Sequence, residues 1–535
     1  MAAPDYGQLL KDFAELNNSF HTFRESMLYS NDSFFLVSTS IIIFLMACGF
    51  AFLEAGSVRS KNTTNILFKN LLDTCISSIC YFICGWAFAF GTNGNAFCGF
   101  GQFLLIDFDP LLFPSWFFHF AFAATASTIV SGALAERCEF YAYISYCVVL
   151  TGFVFPTITH WAWQKDGWLA NGPEGIKFKD FAGSGVVHLH GGTTALIGAI
   201  CLGPRIGRFE DDETGTPAVP MKGHSTPFAA LGGFLLMFGF FAFNGGSQST
   251  IDTPGDAQTI GRALTSTMLS GAWAAITVLI LNKMFVGKKW SLLMSINGVL
   301  VGMVSACSGC DAYEPWACSA VGIGSGLSYL LVLKMVEVLR IDDPLDAAAV
   351  HFGGGLWGLM ISPIMMNEGI IFVANRRSFL QLGWNCVGAL AIIGWSLSLM
   401  GSLFLILRLL GLFRVPEEVE LKGLDLYKHG EAAYPLVAYG HGWDDPVDQL
   451  HNNVKHRGLR RTENDIESRN NSFSHNNGSP YSVYDNRLGY GSSPAPPPRR
   501  YFETPEVHAM HQRDQPISAW NDLEKQNTYL GESWT

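Results

Sequence analysis

The sequence predicts an all-α integral membrane protein of eleven transmembrane helices in two inverted five-helix repeats, N-terminus outside and C-terminus cytosolic. Three observations predict it. Apolar runs recur along the chain, basic residues alternate in density between them, and one polar motif appears twice in runs of opposite orientation. Composition agrees: 49% of the 535 residues are hydrophobic and only 15% are charged, unlike most soluble domains. A formal net charge of −11 argues against nucleic acid as a partner.

A helix needs about 20 apolar residues to span roughly 30 Å of hydrocarbon. The runs are 34–56, 70–91, 116–135, 140–162, 183–203, 226–246, 261–283, 291–308, 317–338, 345–364 and 381–410. Lys and Arg gather on the cytosolic side of a membrane protein. Arg59, Lys61 and Lys69 follow the first run, and Arg137 the third. Arg205, Arg208 and Lys222 follow the fifth, and Lys283, Lys288 and Lys289 the seventh. Lys334 and Arg340 follow the ninth, while Arg408 and Arg414 close the eleventh. Loops 92–115 and 247–260 carry no basic residue. Three lysines in 163–182 and Arg376 with Arg377 in 365–380 run against the trend without reversing it.

The flanks differ from this membrane domain, 34–410. Residues 1–33 read as a polar extracellular segment lacking the short apolar core of a cleavable signal. Asn17-Asn18-Ser19 and Asn31-Asp32-Ser33 are acceptor triplets there, at Asn17 and Asn31. Segment 411–439 is charged, partly helical and suited to dock on the cytosolic face. Residues 440–535, rich in Asn, Ser, Pro, Arg and Gly, read as disordered. The twelve cysteines show no metal-site spacing. Most lie in apolar runs; Cys98, Cys310 and Cys318 fall in short non-helical segments and are candidates to pair.

The fifth run opens "DFAGSGVVHLHGGTTALIGA", Asp180 to Ala199. A charged residue at membrane depth costs at least about 2.5 kcal/mol, so these polar groups need a reason. Asp180 stands where a helix N-cap would, at the positive end of the dipole. His188 follows about two turns in, beside Gly191, Gly192 and Ala195. His190 points to the opposite face. The tenth run repeats the theme in "DDPLDAAAVHFGGGLWGLM", Asp342 to Met360. Asp343 is read as the cap, Pro344 as the first helical residue, Asp346 as a capping-box acid and His351 as the mid-span histidine. Glycines follow at 353, 354 and 355. The two motifs lie five spans apart, and an odd spacing inverts one half relative to the other. That places the working site at the repeat interface. One intramembrane histidine usually completes an interhelical hydrogen bond; two at matching places argue for a joint task. No third ligand has a metal-binding spacing, and no nucleophile elbow is present.

Aromatic residues cluster at the outward ends of the third, fourth and sixth runs: "FFHFAF" (Phe117 to Phe122), "HWAW" (His160 to Trp163) and "FFAFNGGS" (Phe240 to Ser247). Together they form a vestibule whose rings attract a cation by about 0.5–2 kcal/mol each, with the Ser247 hydroxyl as a further acceptor. A small cation that can shed a proton suits such a mouth above two neutral histidines.

"GALAER" (Gly132 to Arg137), "DFAGSGVVH", "FNGGS", "DDPLDAAAVH" and "RVPEEVELKGLDLYKHGE" occur in order over roughly residues 34–436. They resemble the ammonium transporter (Amt/Mep/Rh) family, and its Amt branch in particular. The resemblance implies a homotrimer in the plasma membrane, each protomer a multi-pass chain with its own pore. It implies an outer recruitment site of Phe118, Trp163 and Ser247 supported by Asp180, a phenyl gate of Phe122 and Phe243, and pore histidines His188 and His351. Segment 414–436 then corresponds to a regulatory helix that contacts a neighbouring protomer. The implied substrates are ammonium, ammonia and methylammonium. No enzyme activity, cofactor or metal is implied. On this reading ammonium is recruited outside and deprotonated, and ammonia crosses with net charge movement. The alternatives are an ammonium sensor signalling through the cytosolic tail and an electroneutral Rh-type channel for ammonia or carbon dioxide. The aromatic vestibule favours the ion-recruiting type over the latter.

Overall fold

A computed structural model describes residues 6–209 and 221–435, all within one unit, Met1–Ser468. The second unit, Arg469–Thr535, lies outside the described residues. So do the tail expected to be disordered, 440–535, and the end of the docking segment, 436–439.

Among the described residues ten helices are long and apolar enough to cross a membrane, and a shorter apolar one, Leu292–Ala306, accompanies them. The chain begins with α1 (Tyr6–Phe44) and, after a break at Leu45, α2 (Met46–Ser57). The first helix thus starts far ahead of the apolar run at 34, because residues 8–33 hold no Gly or Pro to end it. α3 (Thr63–Cys80) continues through a π-helical turn, Tyr81–Gly85, into α4 (Trp86–Phe90). A small antiparallel hairpin follows, β1 (Asn93–Gly94) on β2 (Gly99–Phe100). α5 (Phe113–Leu134) comes next. α6 (Phe140–Val149) and α7 (Phe155–Trp163) are joined by the π turn Leu150–Val154. α8 (His190–Leu202) and α13 (Gly354–Met365) are each entered through a π turn, Ser184–Leu189 and Ala348–Gly353. Between them run α9 (Thr226–Gly246), α10 (Asp256–Leu281), α11 (Leu292–Ala306) and α12 (Ala317–Val338). α14 (Arg376–Leu409) starts in a capping box of Asn375 and Ser378, and short α15 (Glu417–Lys422) ends the series.

α5 is the centre: every residue from Phe120 to Leu134 is buried, as expected of a helix apolar all round. α1, α3 and α8 pack against it, and α14 covers the far side of α8. Apolar side chains on the outer surfaces, among them Leu331, Leu390 and Ile276, are exposed, which suits a protein dissolved in lipid.

The turn before the tenth run departs from the expected capping. Asp343 does cap, its carboxylate accepting the Ala348 N–H at 2.7 Å. The helix starts only there, however, so Pro344 is not its first residue. Asp346 has a left-handed φ of 58°, and its carboxylate accepts instead from Tyr329 and Asn297. A residue in that conformation cannot close a capping box. All twelve cysteines are free, including Cys98, Cys310 and Cys318.

One face of the bundle is tied by ion pairs. Buried Glu136 lies 2.6 Å from Arg59 and 3.3 Å from Arg205, and Arg205 forks onto Asp342 at 2.7 and 3.0 Å. Arg137, wholly buried, donates to the carbonyls of Ala135, Gly203 and Asp342. The 411–435 stretch folds back on this layer. Val415 N–H bonds Arg137 O, Glu420 accepts from Ile206 N–H and pairs with Arg414, and Lys61 donates to Leu421 O. Further along, Asp425 accepts the Asn65 N–H at 2.9 Å and Lys428 pairs with Glu139 at 2.8 Å.

Burial would raise the Glu136 carboxyl, but Arg59 and Arg205 hold it down at about 2. Its stabilisation is therefore complete above the ordinary carboxylate pKa and fades only as the pH falls towards 2. Glu136→Gln leaves Arg59 without its carboxylate partner and Arg205 with Asp342 alone, a change expected to cost roughly 3 kcal/mol. Thermal denaturation in detergent should show a lowered midpoint for this variant at pH 7.

Candidate functional site

The site is built where two helix entrances cross. Asp180 lies in a loop ahead of α8. Its Oδ2 accepts the N–H groups of Gly185 and Val186, each at 2.9 Å. The carboxylate therefore caps the helix from a distance, across a turn that Gly183 makes at φ 98°. Asp343 caps its own helix in the same way, and each acid is followed eight residues later by a histidine in a π turn. His188 N–H reaches back five residues to Gly183 O. Such wide turns recur at functional sites. Here they turn both imidazoles toward one another.

Close approach of the two entrances depends on glycine. A Cβ on Gly192 would stand 2.1 Å from the Phe352 backbone nitrogen, and one on Gly355 2.5 Å from Ser184 O. The backbones touch where side chains would hold them apart. The loop before α8 is fixed from outside as well. Asn385 accepts from Lys179 N–H and donates to Lys179 O, Ser308 donates to Lys179 O, and Lys179 pairs with Asp311 at 2.5 Å.

The expected residues line up as one column. Phe118 lies beside Phe122, ring centroids 4.7 Å apart, and Trp163 meets Phe122 edge-on at 5.8 Å. Phe122 stacks on Phe243 at 4.0 Å and 17°. Phe243 in turn lies 5.5 Å from His188. His188 and His351 are stacked at 5.2 Å and 16°, their Nδ1 atoms 3.2 Å apart. One Nδ1 must carry the proton that the other accepts. The neutral pair therefore turns one N–H and one lone pair outward, and His188 Nε2 has no partner among the described residues. His190 points away, bonded to Ser396 at 2.7 Å.

At the other end of the column, Trp163 Nε1 donates to Asp180 O at 2.8 Å, so the indole is fixed by the loop that carries the acid. Ser247 donates its hydroxyl to Phe243 O at 2.8 Å, which leaves its oxygen lone pairs open. The neighbouring Gly246 lies against the Phe118 ring. Asp180 is buried and its Oδ1 has no partner among the described residues. Burial pushes this carboxyl up to about 6, against the backbone N–H groups of residues 183 to 186. Asn17 and Asn31 lie apart from all this, on α1, and the Asn31 amide donates to Asp252.

Glu54 was not singled out by its motif, yet it reaches the column. A cavity of about 30 Å³, room for a molecule the size of water, is lined by His351, Phe50, Thr128, Asn297 and Glu54. The Glu54 carboxylate accepts from Ser131 and Asn70. The available signal was a lone acid inside the apolar run 34–56. Among the described residues no group of three or more His, Cys, Asp or Glu gathers to hold a metal ion.

Comparison with known proteins follows the same ground. The profile of the Ammonium Transporter Family matches residues 33–434. The chain is 53% identical over 442 residues to "Putative ammonium transporter 1" of Caenorhabditis elegans, covering 79% of this chain and 82% of that protein. It is 38% identical over 437 residues to "Ammonium transporter 1 member 3" of Solanum lycopersicum, with 76% and 94% covered. Among solved structures, one titled "Sensor Amt Protein" superposes with a TM-score of 0.69 at 31% identity, over 76% of this chain and all of that one. The crystal structure of Candida albicans Mep2 shares the fold, with a TM-score of 0.67 at 24% identity, covering 78% of this chain and 93% of that one.

Gly192→Ala should push the two entrances apart and lower the denaturation midpoint, since overpacking of this kind costs about 1–3 kcal/mol. Gly394→Ala in α14, where a Cβ meets nothing within 4 Å, should leave the midpoint unchanged or raise it slightly. Equal midpoints for both variants would remove the argument from close approach.

Proposed function

Because the chain belongs to the ammonium transporter family, we propose that it recruits ammonium at Phe118, Trp163, Ser247 and Asp180, and that the ion is deprotonated at or below the Phe122–Phe243 stack, its proton passing to the imidazole nitrogen of His188 beside Phe243. Ammonia then passes beside His188 and His351. The observation that carries this reading is the unbroken column in which the phenyl stack at 4.0 Å gives directly onto the histidine pair at 3.2 Å. A stack that tight leaves no room for a hydration shell. An ion entering it would lose its water with only ring faces in return, whereas neutral ammonia loses little. Aromatic faces and the Asp180 carboxylate attract the cation up to that point. Potassium is attracted too, but it has no proton to give up and is stopped.

Below the stack the imidazoles offer a donor and an acceptor in series, which suits ammonia and also a proton passing from ring to ring. The proton follows through the pair, so charge moves. In this reading eleven spans form two inverted repeats, the N-terminus is outside, segment 411–439 lies on the cytosolic face, and three copies assemble in the plasma membrane. The matched acid-to-histidine entrances of α8 and α13 support the repeat.

The purified protein in liposomes, given an inward ammonium jump, should produce a membrane current, and His188→Ala or His351→Ala should abolish it. A rise in internal pH without current would instead mean an electroneutral ammonia channel. Silence in both signals with ammonium still bound would favour a sensor.

The outer site also predicts a pH dependence. The Asp180 carboxyl titrates near 6, and below that it is neutral and attracts a cation less. Half-saturation by ammonium should therefore shift to higher concentration as the outer pH falls through about 6, and Asp180→Asn should flatten the dependence. An unchanged profile in that variant would take Asp180 out of the outer site.

A further inference from the structure

The N-terminal part of α1 carries an apolar seam of strict coiled-coil period. Tyr6, Leu9, Phe13, Leu16, Phe20, Phe23 and Met27 follow at alternating intervals of three and four, and each is between 45% and 71% exposed. They fill successive a and d positions of three heptads. After Ser30 the same phase resumes with Phe34, Val37, Ile41 and Phe44, all exposed. The stripe therefore runs unbroken in register from the outer segment into the first apolar run.

Among the described residues nothing covers this outer part of α1, residues 6–27. It is held at its foot, where Tyr29 donates to Leu111 O, Asn31 to Asp252, and Asp32 accepts from Ile251 N–H. Residues 6–27 are exposed throughout, and the helix runs without interruption over about 33 Å of that stretch, at about 1.5 Å per residue. A helix that leaves the bundle as the prolongation of its own span stands off the lipid surface. It cannot lay its stripe upon that surface.

We propose that this seam binds the seams of other copies of the same chain, as a parallel coiled coil capping the assembly. Period selects the partner: a repeat of 3.5 residues matches only another helix of the same period. Orientation selects the copy. Every copy inserts in one direction, so the helices are parallel and at equal height, and Phe13 meets Phe13 and Leu16 meets Leu16. The flanking positions allow it. The e residues are Leu10, Asn17, Arg24 and Asn31, and the g residues are Asp12, Ser19, Ser26 and Ser33. In a parallel pairing Asp12 faces Asn17, Ser19 faces Arg24 and Ser26 faces Asn31, so no like charges meet. The trimer proposed above sets only the number of strands; the pairing does not rest on the conduction reading.

Cysteine cross-linking of the full-length chain in membranes tests it. Leu16→Cys and Phe23→Cys, both at d, should form covalent dimers on mild oxidation severalfold more than Asn18→Cys and Glu25→Cys at f, with the parent as blank. Equal yields at d and f, or none at d, would overturn the proposal. A Leu16→Glu, Phe20→Glu double variant should lower the temperature at which the assembly dissociates while ammonium flux is retained. An unchanged dissociation temperature would overturn it as well, whereas loss of flux in the histidine variants alone would bear only on conduction.

Discussion

Hydrocarbon offers no hydrogen bonds, so a polar group placed between these helices is costly unless it finds its partner within the chain. That constraint shapes the molecule more than any single contact. Asp73 is buried and accepts from Ser127, Thr128 and Cys147. Buried Lys69 donates to Cys138 O, and Glu54 is held by Ser131 and Asn70. Most of these partners belong to α5 or to the segment just after it. α5 is thus buried for two reasons: its apolar surface excludes water, and its hydroxyls satisfy the acids of its neighbours.

The same constraint accounts for the crossing of α8 and α13. A helix that begins at membrane depth exposes backbone N–H groups with no water to meet them. Asp180 and Asp343 supply acceptors from the preceding loops, and the π turns absorb the extra residue needed to bring each histidine round. Glycines then let the two entrances touch. A larger residue at Gly192 or Gly355 would separate the capped ends, and the imidazoles with them. The histidine pair is therefore a consequence of how two helix starts are satisfied, not an independent feature laid on a finished bundle.

Much of this was legible in the sequence. The apolar runs mark the long helices, and the two Asp-to-His motifs mark the residues that meet. What was less legible depended on partners far away in the chain. Asp346 looks like a capping-box acid by spacing, but Tyr329 and Asn297 draw it into a left-handed turn. Glu54 is one acid in an apolar run until His351 and Asn297 close a cavity beside it. The outer part of α1 reads as polar on average because its charged, amide and hydroxyl residues together outnumber the apolar ones. Its seam appears only when the apolar residues are read position by position in a seven-residue period. Leu45 interrupts α1 and α2 with no Gly or Pro beside it, and nothing in the contacts explains the break.

Charge is distributed along the molecule in layers. One end of the column has Lys179, Asp311 and Asp180; the opposite face has Glu136, Arg59, Arg205 and Asp342. Between them the column itself holds only phenyl and imidazole rings. A fixed charge at that level would be buried without a counter-charge, which is costly. Imidazole can instead be neutral while still offering both a donor and an acceptor. Buried acids such as Asp73 lie to the side, already occupied by three donors. Glu54 is the exception, adjoining the cavity beside His351 with its oxygens held by Ser131 and Asn70.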